Sequence, residues 1–456
     1  MGLFLTGKTK KKINVDSKHH QMKDIVIIGG GPSGTAAAIS AARFGVKVLL
    51  VEQQGYLGGM LTGGLLSPIL GGEINKGFYL ELIKKLKKYD AIFEPAYGRG
   101  QNPEYMKLVL EEMCQEAKVE LLYYTLGVGA LTEGNIIKGI KIASKSGIQE
   151  VKARIVIDCS GDGDIAYRAG AKYEKGDKRG KLMPVTLRFI LGNIDIKKAI
   201  AFTRRYQQEY PGDIKCSNLT YPQIALSTFE SLIKKAKEKN EIHSADWAYA
   251  GFAMPGRPGE LVFNNPYVLN IDGTKPEDLT RAQIEGRRFV FEIARFFKKY
   301  IDGFQNSYIV AISPLVGVRE TRRIIGDYII TAKDILQGTT FKDVIARNTY
   351  MIDLHSSDGS RKDETDRKIN LQYPSKPSEI PYRCLLPRGL ENILVAGRCI
   401  SSTRDANSAL RVTANCFAIG QAAGTAAAIA VRRKITPREV DIKELQENLR
   451  AQGVEI

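Results

Sequence analysis

The sequence predicts an α/β protein in which a parallel-sheet domain is assembled from both ends of the chain and a mixed α+β domain is inserted between them. Three observations predict it. A short apolar strand runs directly into a glycine-rich turn, an Ala-rich helix and a second strand over residues 24–52. The same Ala/Gly-rich style returns over residues 389–432. Past Ala169 the chain changes to mixed strands, helices and Pro-containing loops. Length and composition allow this. A chain of 456 residues that is 43% hydrophobic can bury a large core and two domains. Its 44 glycines and 17 prolines suit tight strand–helix turns and argue against a fibrous or disordered chain.

Taken in order, Asp24–Ile28 (DIVII) is the first strand, and residues 34–44 (GTAAAISAARF) lack strand character and read as a helix packed close to the sheet. Val46–Val51 is the second strand, ending at Glu52. Residues 53–72 form a Gly-rich apolar loop, and 76–89 and 104–117 are amphipathic helices. Val119–Tyr124 reads as a strand, followed by a turn region, LGVGALTEGN. Ile136–Ala143 and Glu150–Val156 alternate like paired strands. Ile155–Cys159 then enters a further Gly-rich turn, SGDGD. In the middle region, helices are expected at 196–209, 226–239 and 277–299, and 355–369 reads as a polar surface loop. Asn392–Ala396 is a returning strand, and 411–432 is a long Ala/Gly-rich helix. The expected division is therefore 22–171 with 385–456 for the first domain and 172–384 for the inserted substrate or cap domain. Residues 1–21 read as a flexible extension or an expression remnant.

Gly29, Gly31 and Gly34 complete G-x-G-x-x-G straight after a strand. In this pattern the first glycine makes the tight turn. The second lets backbone approach a pyrophosphate, and the third lets helix and strand pack closely. The helix N-terminus offers N–H groups and partial positive charge to the phosphates. Glu52 lies 23 residues after Gly29 at the end of the second strand. A carboxylate there takes a ribose 2′-hydroxyl and argues against a 2′-phosphate. The glycines alone are a weak signal, but strand, glycines, helix, strand and acid stand in register. They predict a Rossmann-type dinucleotide site and leave FAD and NAD both open.

At this point a family resemblance enters. GGGPSG at 29–34, VEQQGYLGGMLTGG at 51–64, VIDCSGDGDIAYRAGA at 156–171, PLVGVRETRRIIGDY at 314–328 and the stretch 391–428 resemble FAD-dependent oxidoreductases of the glutathione-reductase-like superfamily. The resemblance is to a family related to the flavin module of heterodisulfide reductase, with distant kinship to fumarate reductase flavoproteins. It implies FAD as cofactor and redox catalysis. It implies that Ser33 lies in the phosphate turn and that Gly59, Met60, Thr62 and Gly63 pass near the pyrophosphate and flavin. Val128 would supply backbone contacts to the adenine. Ser160, Gly161 and Asp162 would approach the dinucleotide, and Gly397 with Arg411, Val412 and Thr413 would lie by the ribityl and isoalloxazine ends. A helix N-terminus there stabilises negative charge on reduced flavin. The chain departs from heterodisulfide reductase relatives in having no iron–sulfur ligand run, so clusters and disulfide chemistry are not expected.

In a flavin enzyme the protein positions the substrate against N5 and supplies electrostatics. The segment VGVRETRRI is the leading candidate: Arg319 and Arg322, three apart, would share a helical face and clamp a carboxylate or phosphate. Its plain alternative is a charged interdomain face. Arg404, Asp405 and Asn407, with Arg411, stand between the last strand and the long helix, where a ligand is expected. His243 is the preferred candidate acid or base, while His355 reads as solvated.

The six cysteines show no CxxC and no zinc spacing, which predicts free thiols, no metal site and a reducing, cytoplasmic setting. No run of about 18 apolar residues appears, so no membrane span is expected. The formal charge is +17, of which residues 1–23 contribute six lysines against one aspartate. The charge admits RNA, but the motifs match a small-molecule family better and argue against a nucleic-acid partner. The leading expectation is hydride transfer between flavin N5 and a small anionic or polyhydroxylated metabolite, with an unidentified electron donor or acceptor. An electron-transfer component of a larger complex and a flavin-dependent RNA-modifying or RNA-binding protein are the alternatives, and a homo-oligomer stays open.

Overall fold

In a computed structural model, residues 22–71, 74–93, 99–213, 218–359 and 372–456 are described. The expected extension 1–21, Cys216 and most of the expected loop 355–369 lie outside the described residues.

The main sheet begins with β1 (Lys23–Ile28), β2 (Val48–Val51) and β3 (Glu120–Leu122). It continues with β4 (Leu126–Glu133), β5 (Ile136–Ser144) and β6 (Gly147–Asp158). The order is β3-β2-β1-β6-β5-β4, and the returning strand Ile393–Val395 also pairs with β6. Strand β6 is long enough to serve two partnerships. Its end, Ile155–Asp158, runs parallel to β1 and to the returning strand. Its start, Gly147–Lys152, pairs antiparallel with β5. The segment expected as a turn, LGVGALTEGN, is mostly the strand β4. Its three glycines obscure the alternation, and its ladder to β5 is broken by register shifts.

Helix α1 (Pro32–Ala42) starts with Gly31 at its N-cap and proline at its first position. Proline lacks an N–H that would be unpaired there anyway. The C-terminal helix Thr413–Arg433 crosses α1 at close range. A Cβ at Gly420 would stand 2.1 Å from the Ser33 carbonyl, and one at Gly424 would stand 2.1 Å from that of Ala37. Glycine is therefore required at both positions by contact distance. The same composition makes it long and apolar enough to cross a membrane, contrary to the expectation of no such run. However, 94% of its apolar window is buried in the core.

The second sheet comprises β7 (Phe189–Gly192), β8 (Ala225–Thr228), β9 (Tyr249–Ala253), β10 (Leu261–Phe263) and β11 (Tyr308–Ile312). All pairs are antiparallel, in the order β8-β9-β10-β7-β11. Helix Pro276–Tyr300 covers it, burying Val290, Ile293 and Phe297 among Phe189, Phe229 and Phe263. The two largest of the hydrophobic cores draw on different stretches of the chain. The second core draws on residues from Phe189 to Ile312. Ile330, Ile335, Ile345, Ile380 and Tyr382 instead pack into the first, with α1 and the C-terminal helix. Their apolar pattern carries no mark of which core they join.

Candidate active site

The glycine turn is shaped by three different constraints. Gly29 has φ +96°, and a Cβ on it would stand 2.4 Å from the Cys159 carbonyl. A Cβ on Gly34 would fall 1.7 Å from the Gly29 carbonyl. Gly31 is different, because a Cβ there would meet nothing within 4 Å. Packing does not demand glycine at 31. The bare backbone faces open space beside the N-terminus of α1, a cradle of the right chemistry for a phosphate. Gly59 (φ +50°) closes over it, its own Cβ direction ending 3.1 Å from the Gly31 Cα.

Glu52 is buried at the end of β2. Its carboxylate accepts hydrogen bonds from Gly30 N (2.6 Å) and Gln54 N (2.7 Å). Burial pushes its pKa up, while those backbone amides oppose the shift. Each oxygen keeps lone-pair capacity for a further donor, as a ribose hydroxyl would be. Val128 is the extra residue of a bulge: Gly127 pairs with Ile142 and Gly129 with Lys141. A bulge leaves the amide and carbonyl of its extra residue off the ladder.

The third turn is organised by Asp158, a residue absent from the expected site. Asp158 is fully buried and accepts from Ser160 N and Ser160 Oγ on one oxygen and from Ile165 N and Ala166 N on the other. Ser160 Oγ is thereby engaged within the turn. Gly161 (φ +81°) lies against Arg398. Asp162 accepts from Arg398 Nη2 at 2.7 Å and Thr321 Oγ at 2.6 Å. Thr62 also spends its hydroxyl internally, on the Leu57 carbonyl at 2.6 Å. Met60 is half-buried in the short turn Gly59–Leu61, packed under Gly64. Gly63 accepts from Ser313 Oγ at 2.8 Å, tying this loop to the end of β11. Gly397 (φ +93°) sits on Ser33, a Cβ there falling 2.4 Å from the Ser33 hydroxyl. Val412 caps the C-terminal helix, and the buried Thr413 Oγ1 at its start has no hydrogen-bond partner.

Arg319 and Arg322 correct the expectation of a shared helical face. Residues 313–321 form a loop and Arg322–Ile324 a strand, so the two side chains part. Arg322 bonds the Asp162 carbonyl and Asp164 Oδ1 (2.9 Å) and stacks over Tyr167. It fastens the third turn. Arg319 points elsewhere: it donates to the Pro184 carbonyl at 2.6 Å and lies over the Tyr267 ring at 4.8 Å. Arg404 is held by both oxygens of buried Glu320, at 3.0 and 3.1 Å, which makes it a strut between the cap loop and the last helices. His243, the preferred acid or base from sequence, has its ring exposed on the surface and bonded to Glu292 at 3.1 Å.

A cluster of polar side chains, called the cleft below, gathers where Arg319 ends. Arg188, from the turn into β7, is almost fully buried and donates to the Gly64 carbonyl at 3.3 Å. Arg411, just before the C-terminal helix, donates to the Asp353 carbonyl at 3.2 Å, and its guanidinium lies 3.8 Å from the Asp353 carboxylate. The Nε atoms of Arg188 and Arg411 are buried without a hydrogen-bond partner. Burial, then repulsion from Arg319 and Arg411, brings Arg188 down to about 9. Burial also lowers Arg411. His355, expected in a solvated loop, joins this cluster. Its Nδ1 stands 3.1 Å from the Tyr267 hydroxyl and its Nε2 faces Asp353 Oδ1 at 3.5 Å. Burial and the charge of Arg319 bring His355 down to about 4. Asp353, despite burial that favours its neutral form, is held well below the usual carboxylate range by His355, Arg411 and Arg319.

Arg188, Tyr267 and Asp353 are absent from the site expected from sequence. One signal was available: Arg188 is the only charge in the apolar run Met183–Gly192, a position that asks for a reason. Among the described residues no three His, Cys, Asp or Glu side chains gather as metal ligands.

Known proteins are similar to the chain in part or in whole. A thiamine thiazole synthase from Aeropyrum pernix is 30% identical over 127 residues, covering 27% of this chain and 45% of that protein. A digeranylgeranylglycerophospholipid reductase from Thermoplasma volcanium is 28% identical over 174 residues, covering 33% and 42%. The chain thus spans less than half the length of these curated relatives. Among solved structures, a geranylgeranyl bacteriochlorophyll reductase-like protein from Thermoplasma acidophilum aligns over 95% of this chain and 87% of its own, at 12% identity and a TM-score of 0.48. The sequence profile of one family, described as FAD dependent oxidoreductase, matches residues 24–449. With nearly the whole chain matched, this protein belongs to the FAD-dependent oxidoreductase family, and its cofactor is FAD.

Proposed function

We propose that the chain transfers a hydride between flavin N5 and a small anionic metabolite held by Arg188, Arg319 and Arg411. One observation carries this reading: Arg188, Arg319 and Arg411 gather in one largely buried polar cluster, with Asp353 3.8 Å from Arg411 and the Nε atoms of Arg188 and Arg411 lacking a hydrogen-bond partner. Buried like charges are costly unless a counter-charge joins them, and an anionic ligand supplies one. The cleft adjoins the 59–64 loop through the Arg188–Gly64 contact. FAD supplies a two-electron acceptor or donor when bound.

The chain's own residues do the holding. Glu52 takes the ribose hydroxyls, and Gly29, Gly31, Ser33 and Gly34 with the α1 N-terminus take the pyrophosphate. The Val128 backbone meets the adenine. Gly59, Met60, Thr62 and Gly63 line the path to the flavin by their backbone. Ser160, Gly161 and Asp162 shape the third turn beside it, and Gly397 with Val412 and Thr413 flank its ribityl and ring ends. The five described cysteines are free and buried, which supports a reducing, cytoplasmic setting.

The test is anaerobic titration of FAD-loaded protein with carboxylates, phosphates and neutral sugars, followed by flavin absorbance. The reading expects bleaching or band shifts with anions that weaken as salt rises. A response to neutral sugars alone, or anion binding to apoprotein that FAD abolishes, would assign the arginines to another task.

A further inference from the structure

Hydride transfer at a carbon bearing a hydroxyl leaves a second problem, because the hydroxyl proton needs an acceptor. The cleft contains a chain of groups arranged for that. Tyr267 stands at its centre, with its amide donating to both oxygens of buried Asp246 at 3.2 and 3.1 Å. Its ring is pinned beneath the Arg319 guanidinium, 4.8 Å away, and meets the His355 ring edge-on at 5.8 Å. The Tyr267 hydroxyl lies 3.1 Å from His355 Nδ1, and His355 Nε2 lies 3.5 Å from Asp353 Oδ1. An ionised carboxylate accepts only, so the proton of a neutral imidazole belongs on Nε2, facing Asp353. Nδ1 is then an acceptor, and the Tyr267 O–H donates to it. Hydroxyl, imidazole and carboxylate follow one another in the order that activates a nucleophile in hydrolases. Here the hydroxyl belongs to a phenol whose ring lies under the Arg319 guanidinium, which suits proton transfer better than acylation.

We propose that Tyr267 is the proton-transfer residue of this cleft, that His355 and Asp353 position it, and that its substrate is a small hydroxy acid. The proposal rests on the arginine cluster being the substrate site. Arg188, Arg319 and Arg411 hold the carboxylate. FAD, when bound, would supply the two-electron acceptor for the hydrogen and electron pair of the substrate C–H bond. The adjoining O–H proton passes to the Tyr267 oxygen as the phenolic proton passes to His355 Nδ1, and the C–O bond becomes a carbonyl. Asp353 balances the imidazolium that results. In the opposite direction a keto acid is reduced by the reverse movements. Burial, opposed by Arg319, brings Tyr267 up to about 12, so the phenol begins protonated and must shed its proton to His355 as it takes one.

The experiment uses the full FAD-loaded chain, Tyr267→Phe, His355→Gln and Arg319→Met. Oxalate, a dicarboxylate with no C–H bond, is the binding probe. Fluorescence of Trp247, the only tryptophan, reports its binding, since Trp247 follows the Asp246 that holds Tyr267. Glycolate, lactate, malate and tartrate are the reacting probes, read by anaerobic flavin bleaching across pH. Tyr267→Phe should bind oxalate within about threefold of the parent yet bleach at least about 100-fold more slowly, the usual scale of lost acid–base catalysis. His355→Gln should keep oxalate binding and move the pH dependence of bleaching. Arg319→Met should lose oxalate binding. Parental bleaching by Tyr267→Phe, or by His355→Gln with an unmoved pH profile, overturns the proton chain. A parent that binds oxalate but is bleached by none of the four acids overturns the substrate class. A parent that does not bind oxalate overturns the arginine site beneath both.

Discussion

The adenine end and the arginine cleft handle charge in opposite ways. The adenine end is built from backbone and a carboxylate. Bare backbone at Gly31, a helix N-terminus and the carboxylate of Glu52 shape a site for an anionic, hydroxylated cofactor. At the cap end three guanidinium groups crowd together against one carboxylate. The difference has a physical basis. A helix terminus and unpaired amides are fixed dipoles that cost no desolvation of a full charge. Arginines in a buried cleft carry that cost until a ligand arrives. The first arrangement suits a cofactor that stays, and the second a substrate that comes and goes.

The glycines of the adenine end carry the largest expected effects. Gly34→Ala should prevent formation of soluble, flavin-loaded protein, because its Cβ would fall 1.7 Å from the Gly29 carbonyl. Gly31→Ala has room and an ordinary φ of −69°, so it should fold. Its melting curve should match the parent, while FAD affinity drops about tenfold, or ~1.4 kcal/mol. Equal FAD binding by Gly31→Ala would remove the cradle from the phosphate site.

The cap end should respond in the other sense. Arg188→Met removes one of the repelling charges, so the apoprotein should gain about 1 kcal/mol in chemical denaturation. Anion affinity should fall at the same time. A variant that loses stability without ligand would mean that the cluster is structural.

Acid should then distinguish the two ends. His355 titrates at about 4 in the fold, facing Arg319, Arg411, Asp353 and Tyr267, against about 6.5 in an unfolded chain. Between those values the unfolded state binds more protons, so stability falls as pH drops from about 6.5 to 4. His355→Gln should flatten that limb in urea denaturation at pH 7 and 4.5. The smallest effect is expected at His243, whose exposed ring bonds only Glu292 among the described residues. His243→Ala should change stability and bleaching rate within about 0.5 kcal/mol.

These differences track what was legible along the chain. The strand–turn–helix–strand order of residues 23–52 is local. The glycine spacing marks the turn within six residues, so pattern sufficed, although Gly29 also meets the distant Cys159 carbonyl. The resemblance extended this to the returning strand and the C-terminal helix. The cleft was not legible in that way. Arg319 and Arg322 looked like one helical face because spacing presumes a helix, and the backbone there is loop and strand. His355 looked solvated because its sequence neighbours are polar, although Tyr267 and Asp353 enclose it.

Local order along the chain decided the dinucleotide turn, the acid at the end of β2 and the sheet they belong to. A βαβ unit fixes these within about 30 residues, through turn sterics and helix ends. Only the tertiary structure decided which of many arginines share a cleft. Residues 188, 267, 319, 353, 355 and 411 come from five distant stretches of the chain, a strand and a helix end among them, and no periodicity links them. Their meeting is set by how the second sheet sits on the first core.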